Sequence, residues 1–201
     1  MNQRSERGLV PEVRHLLLST QLFFFTVIAV CVLIDHSATT ESDGISFYVV
    51  YHLTIPLMVP GFCVGAYGMW RTSTHFAGAD APHLTVVGLR TISIGLLLLL
   101  VTPFNKGTFL NWTHMTIGVI VAIVELAICA LLLVQRRAPA SVVAFFVTLG
   151  GGILAAASLP DRHFEYLLQG EILFELGFSW CLIEWTYALD ARNQRTFAQQ
   201  R

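Results

Sequence analysis

Charge is scarce in this sequence. Only 12% of its 201 residues are Asp, Glu, Lys or Arg, about half the quarter that is usual in soluble domains. There is one lysine, Lys106, beside eleven arginines. No lysine lies within an apolar run, so Schiff-base chemistry in a membrane has no candidate residue. A net charge of −1 without a basic patch or stripe excludes nucleic acid as a partner. The four cysteines, Cys31, Cys63, Cys129 and Cys181, form no C-x-x-C pair, which excludes a dithiol motif and a zinc knuckle. They read as small buried hydrophobes. The motifs G-x-S-x-G and H-E-x-x-H are absent, as are the histidine-rich boxes of membrane di-iron enzymes, so serine-hydrolase and zincin chemistry have no signature. No loop is long enough to hold a soluble domain.

What the chain does have is apolar length. It is 55% hydrophobic, with a mean hydropathy of +0.65. A bilayer core takes about 20 apolar residues per helix. Six runs approach or exceed that length: Leu16–Ile34, Ser46–Trp70, Leu84–Phe104, Trp112–Val134, Ser141–Leu159 and Tyr166–Leu189. The prediction is an all-α integral membrane protein, one compact bundle of six transmembrane helices over residues 1–201. Residues 190–201 form a short tail. The first run opens like a signal peptide but continues to Asp35-His36 without a small-residue cleavage site, so it reads as a retained span. Nine basic residues (Arg4, Arg7, Arg14, Arg71, Arg136, Arg137, Arg192, Arg195 and Arg201) fall on one side of this layout. Lys106 and Arg162 fall on the other. The positive-inside rule then puts both termini in the cytoplasm, and the expected location is the bacterial cytoplasmic membrane.

The second span carries Pro56 and Pro60, then Gly61, Gly65 and Gly68. Each proline removes a backbone donor and crowds the turn before it, so this span is expected to be kinked or broken. Gly61 and Gly65 form a G-x-x-x-G face, and Gly150, Gly151 and Gly152 make the fifth span its small-residue counterpart. Both faces suit close helix packing, within the chain or against a second copy or a membrane partner. Aromatics at the span ends, such as Trp70, Trp112 and Tyr166, suit an interfacial belt.

Acids inside apolar runs are costly and mark sites to inspect. The sixth span carries three: Glu171, Glu175 and Glu184. Glu171 and Glu175 are four apart, so they share a face. In the predicted orientation they lie in the outer half, with His114 at the outer end of the fourth span. His52 sits roughly 9 Å below the outer end of the second. Tyr48, Tyr51 and Gln169 are near the same level. These seven residues are the candidate ligand or proton site, for a small molecule, a lipid or protons. His52, His114, Glu171 and Glu175 are also a set from which a metal could draw imidazole and carboxylate ligands, and His75 and His83 flank Asp80 in the second cytoplasmic loop as a lesser one. His52 and His114 are the only histidine pair open to a haem, which leaves the cofactor unknown. Arg90, Glu125 and Glu184 form an inner layer. Arg90 stays charged and is expected to pair with Glu125 or Glu184.

The layout resembles small six-span membrane proteins that include DRAM-like families and related bacterial ones. The resemblance rests on the first outer loop ending in Gly44-Ile45-Ser46 and on His114 within NWTHMTIGVIVA at the fourth span's start. It implies a six-helix bundle and carries over no catalytic residue. The leading expectation is a membrane protein with an outer polar cavity that binds or moves a small solute, a lipid or protons. The alternatives are a membrane-embedded metal or haem enzyme and an accessory subunit of a membrane complex.

Overall fold

The computed structural model of the chain describes residues 3–79, 81–159 and 165–199, with side chains at 12–37, 41–79, 81–159 and 165–191. Among the described residues there are eight helices and no strand. They are α1 (Gln3–Ile34), α2 (Ala38–Asp43), α3 (Ile45–Val50), α4 (Ile55–Gly78), α5 (His83–Val101), α6 (Thr108–Gln135), α7 (Pro139–Ala157) and α8 (Leu167–Gln199). Five stretches are long and apolar enough to cross a bilayer: Glu12–Ile34, His83–Val101, Thr108–Gln135, Pro139–Ala157 and Leu167–Ala191. This fits a helical membrane bundle. Asp80, Asp161, Arg162 and His163 lie outside the described residues, as do the side chains of the terminal arginines other than Arg14.

The second expected span is two pieces. Its first residues form α3, the chain turns at Tyr51–Thr54, and α4 starts at Ile55 with Pro56 in its first turn. Proline is tolerated there because the missing N–H would have had no partner. The break is held by Thr54, fully buried, whose hydroxyl donates to the Tyr48 carbonyl (2.7 Å) freed at the end of α3. Pro60 lies inside α4, which continues through it. At 24 residues α4 is long enough to cross, roughly 36 Å at 1.5 Å per residue. It is not among the five apolar stretches because two prolines, several glycines and Arg71 dilute its hydropathy.

The six long helices form a closed ring. Each packs on the next in the order α1, α4, α5, α6, α7, α8, and α8 returns to α1. The α7–α8 seam is the closest. A side chain at Gly151, Gly170 or Gly177 would drive into the facing backbone of Phe174, Ala155 or Thr148. Small residues let helix backbones approach in this way. A Cβ added at Gly61 would lie 3.1 Å from Val27 of α1. Gly65 faces Leu96 and Phe24, and Gly152 meets the Phe174 ring. These glycines therefore serve packing within the chain, whereas Gly150 has open space beside it.

Two apolar clusters fill the ring. One gathers Leu17, Phe76, Leu89, Leu132, Phe178 and Trp185 toward the far end. The other gathers Phe24, Ile28, Tyr48, Met58, Phe62 and Leu168 at the end covered by α2 and α3. The cavity described next has walls from both.

Candidate functional site: an acidic cavity in the bundle

Helical periodicity brings the site together. On α6, His114, Gly118, Val121, Ala122 and Glu125 recur on one face, as do Leu167, Glu171, Phe174 and Glu175 on α8. The two faces bound a cavity of about 270 Å³. Phe24, Phe62, Leu96 and Leu99 add apolar wall from α1, α4 and α5, and α7 contributes Gly152, Ala155 and Ala156. The polar side chains that line it are Ser46, His114, Glu125, Glu171 and Glu175, and no lysine or arginine is among the lining residues.

The start of α3 clamps one end of the cavity. Its first backbone N–H, at Ile45, donates to the Glu171 carboxylate (2.6 Å). The next residue, Ser46, meets His114 Nε2 (2.8 Å). His114 Nδ1 lies 2.7 Å from the Thr102 carbonyl. A carbonyl can only accept, so Nδ1 carries the proton, and Nε2 of a neutral ring accepts from the Ser46 hydroxyl. The clamp needs Gly44. Its φ of 67° is a left-handed conformation that suits glycine, and a side chain there would collide with the Glu171 carboxylate.

Glu125 is the deepest of the three acids. It is 1% exposed, and its Oε2 has no hydrogen-bond partner among the described residues. Glu175 is close enough to repel it when both are ionised, and Glu171 acts on Glu175 in the same way. Glu171 and Glu175 are half-buried, their remaining surface facing the cavity.

The structure separates several residues that sequence reasoning grouped. His52 does not join the cavity. It is exposed in the turn before α4, edge-on to Tyr51 (4.9 Å between ring centroids). The break in the second span carried it out of the bundle. Tyr51 stacks on Phe47 (5.2 Å). Tyr48 is buried, and its hydroxyl donates to the Asp35 carbonyl (2.9 Å). Gln169 lies outside the cavity and reaches Glu41 of α2 (3.4 Å). The metal set loses a member with His52, and among the described residues no group of three or more His, Cys, Asp or Glu is arranged to hold a metal.

The inner-layer pairing also changes. Arg90 meets neither acid. It is exposed on α5, its Nε 3.4 Å from the Ser73 hydroxyl and its guanidinium 5.6 Å from the Trp70 ring. The positive charge thus snorkels along an aromatic. Glu184 pairs with Arg136 instead (3.6 Å), and Arg136 also donates to the Glu184 carbonyl (3.1 Å). Glu125 belongs to the cavity. The signal was present in the sequence: it follows His114 by about three helical turns, which returns it to the same face. Depth alone had assigned it to another layer. Ser46 and Ile45 were missed as site residues because their part in the clamp depends on a tertiary contact.

At the rim, α2 lies against α8, and His36 reaches Glu41 (3.6 Å). Burial raises the Asp43 carboxyl above its usual pKa, with the Ser42 hydrogen bond pulling the other way. No protein family matches the chain, and comparisons with curated proteins and with solved structures give no match.

Proposed function

We propose that this chain is a six-span protein of the bacterial cytoplasmic membrane, with both termini in the cytoplasm and α4 as the sixth crossing helix. Its cavity, in the outer half of the bundle, binds or moves a small solute, a lipid or protons. One observation carries the functional reading: three carboxyls and a histidine, from two helices, line a single cavity among apolar helices. Acids at membrane depth are retained where they face a ligand, a proton path or each other. A few polar groups converging in an apolar cleft are the usual form of a small-molecule site.

The metal or haem enzyme is less well supported. His52 is in an exposed turn, and both ring nitrogens of His114 already have partners. The accessory-subunit reading is weakened because most of the glycine faces that would meet a partner pack within the chain.

The test is thermal stability of the purified protein against membrane lipid extract and a panel of small solutes. A Cβ at Gly118 would meet no atom and Gly118 lines the cavity, so Gly118→Phe is the substitution chosen to fill the site. At least one ligand is expected to raise the Tm of the wild type and to lose that effect in G118F. If no lipid, solute or proton flux distinguishes the two proteins, the cavity has no such role. For the topology, impermeant reagents applied to intact cells are expected to miss both termini, and labelling of either would overturn the orientation.

A further inference from the structure

We propose that the cavity recognises a small lipophilic organic cation, an amine or quaternary ammonium on an apolar body. Its charged end would lie against Glu125 and Glu175, and its body against the phenylalanine wall. The inference rests on the ligand-binding reading above and names the ligand class.

Glu125 is 1% exposed and faces the cavity, with Oε2 lacking a partner among the described residues. A buried carboxyl left in that state is destabilising until a cation or proton satisfies it. Among the described residues the chain supplies no cation of its own. No lysine or arginine lines the cavity, and the histidine that does is engaged on both ring nitrogens by Ser46 and Thr102. Glu171 is held by the Ile45 N–H, which leaves Glu125 and Glu175 as the acids open to a ligand.

The remaining wall selects among cations. It is apolar and includes Phe24, Phe62 and Phe174. A hard inorganic ion takes about six to eight oxygen ligands, more than the carboxylate oxygens of Glu125 and Glu175 supply. Aromatic faces attract organic ammonium groups. An anionic headgroup would meet three carboxyls and no base among the described lining residues. The cavity volume of about 270 Å³ is close to the lower end of the roughly 300–1,000 Å³ common for ligand sites, which suits a small body. Access fits the same class. α6 packs on α7 far more loosely than α7 does on α8. The cavity wall there includes Val119, which is 52% exposed on the apolar outer surface. A lipophilic solute dissolved in the bilayer would meet the cavity wall at that face.

Benzyltrimethylammonium and its neutral isostere neopentylbenzene test this on the full chain in detergent or nanodiscs, with sodium alone as a third probe. The ammonium is expected to bind the wild type at least tenfold more tightly than the isostere. That preference is expected to fall at least tenfold in Glu125→Gln and in Glu175→Gln, with the isostere unaffected. The comparison of the two probes on wild type needs no variant, so it stands even if a glutamine protein fails to fold. Equal binding of the two probes would overturn the cation proposal and leave the ligand cavity intact. So would a response to lipid or to another solute with none to the ammonium. A Glu125-dependent response to sodium with none to benzyltrimethylammonium would overturn it in favour of an inorganic ion. If no probe, lipid or solute binds, both readings fall.

Discussion

The two ends of α8 carry acids in opposite circumstances. Toward its C-terminus Glu184 has Arg136, and Asp190 has Arg14 at 2.7 Å. Arg14 also donates to Thr186 and lies 3.9 Å over the Tyr187 ring. Each of these acids meets a base from another part of the chain, and the pairs tie α1 and the α6–α7 connection to α8. Toward the N-terminus Glu171 and Glu175 line a cavity with Glu125, and no base among the described residues offsets them. Acids near the membrane thus divide by partner rather than by depth. Those with an arginine fix helix positions, and those without one face a space that a ligand or proton can fill. One helix carries both kinds because 3.6-residue periodicity turns Glu184 away from the face shared by Glu171 and Glu175.

The largest effect is expected where the comparison has its common support. Both ends of α8 are positioned by the α7–α8 seam, and a side chain at Gly170 would enter the backbone of Ala155. Gly170→Val cannot be absorbed by a rotamer change. Its cost is expected to be about 3 kcal/mol or more, at the upper end for overpacked sites. The check is the yield of monodisperse protein and its Tm. A variant with wild-type stability would mean that the helices are not packed this closely.

A smaller effect separates the two ends. Arg136→Ala leaves Glu184, 8% exposed, without its base. The expected loss is about 1–3 kcal/mol, the range for an orphaned buried group. Adding Glu184→Gln should recover most of it. At the other end Glu175→Gln removes a like-charge neighbour of Glu125 and breaks no ion pair, so stability is expected to hold or to rise by about 1 kcal/mol or less. Chemical denaturation of the four proteins gives the comparison. If Glu175→Gln destabilises as strongly as Arg136→Ala, the acids at the cavity are structural too, and the division by partner fails.

Much of this arrangement was legible in the sequence, and the remainder was hidden for definite reasons. The apolar runs predicted the long helices because length and hydropathy are local properties. Pro56 and Pro60 flagged the second span, and the break came just before Pro56. Glu171 and Glu175 were legible as a pair because four residues make one turn. Ring closure was not legible. It decides that Glu184 faces Arg136 from the α6–α7 connection while Arg90 points outward beside Trp70. His52 was misplaced because a four-residue turn, Tyr51–Thr54, moved it out of the helix on which its depth was reckoned. The clamp made by Ile45 and Ser46 joins residues separated from their partners by 126 and 68 positions, and no local pattern encodes such a contact.

The smallest effect tests the cover over the cavity. Asp43 ends α2 and precedes the Gly44 turn into the clamp. Its carboxyl is raised above its usual pKa by burial, with Ser42 opposing, so the folded state holds that proton more tightly than the unfolded chain. The site therefore contributes most below the unfolded pKa of about 3.9, and the contribution is lost as pH rises through the folded value. At neutral pH the ionised Asp43 works against the cover. Asp43→Asn removes the charge, so it should slow hydrogen exchange at the Ile45 amide by about two- to threefold at pH 7. That is a fraction of a kcal/mol, as expected for a partly solvated group. Near pH 3 the wild-type carboxyl is itself neutral, and the ratio between the two proteins should return to one. A ratio that is the same at both pH values would show that the substitution acts through shape or hydrogen bonding, and that the charge on Asp43 does not govern the cover.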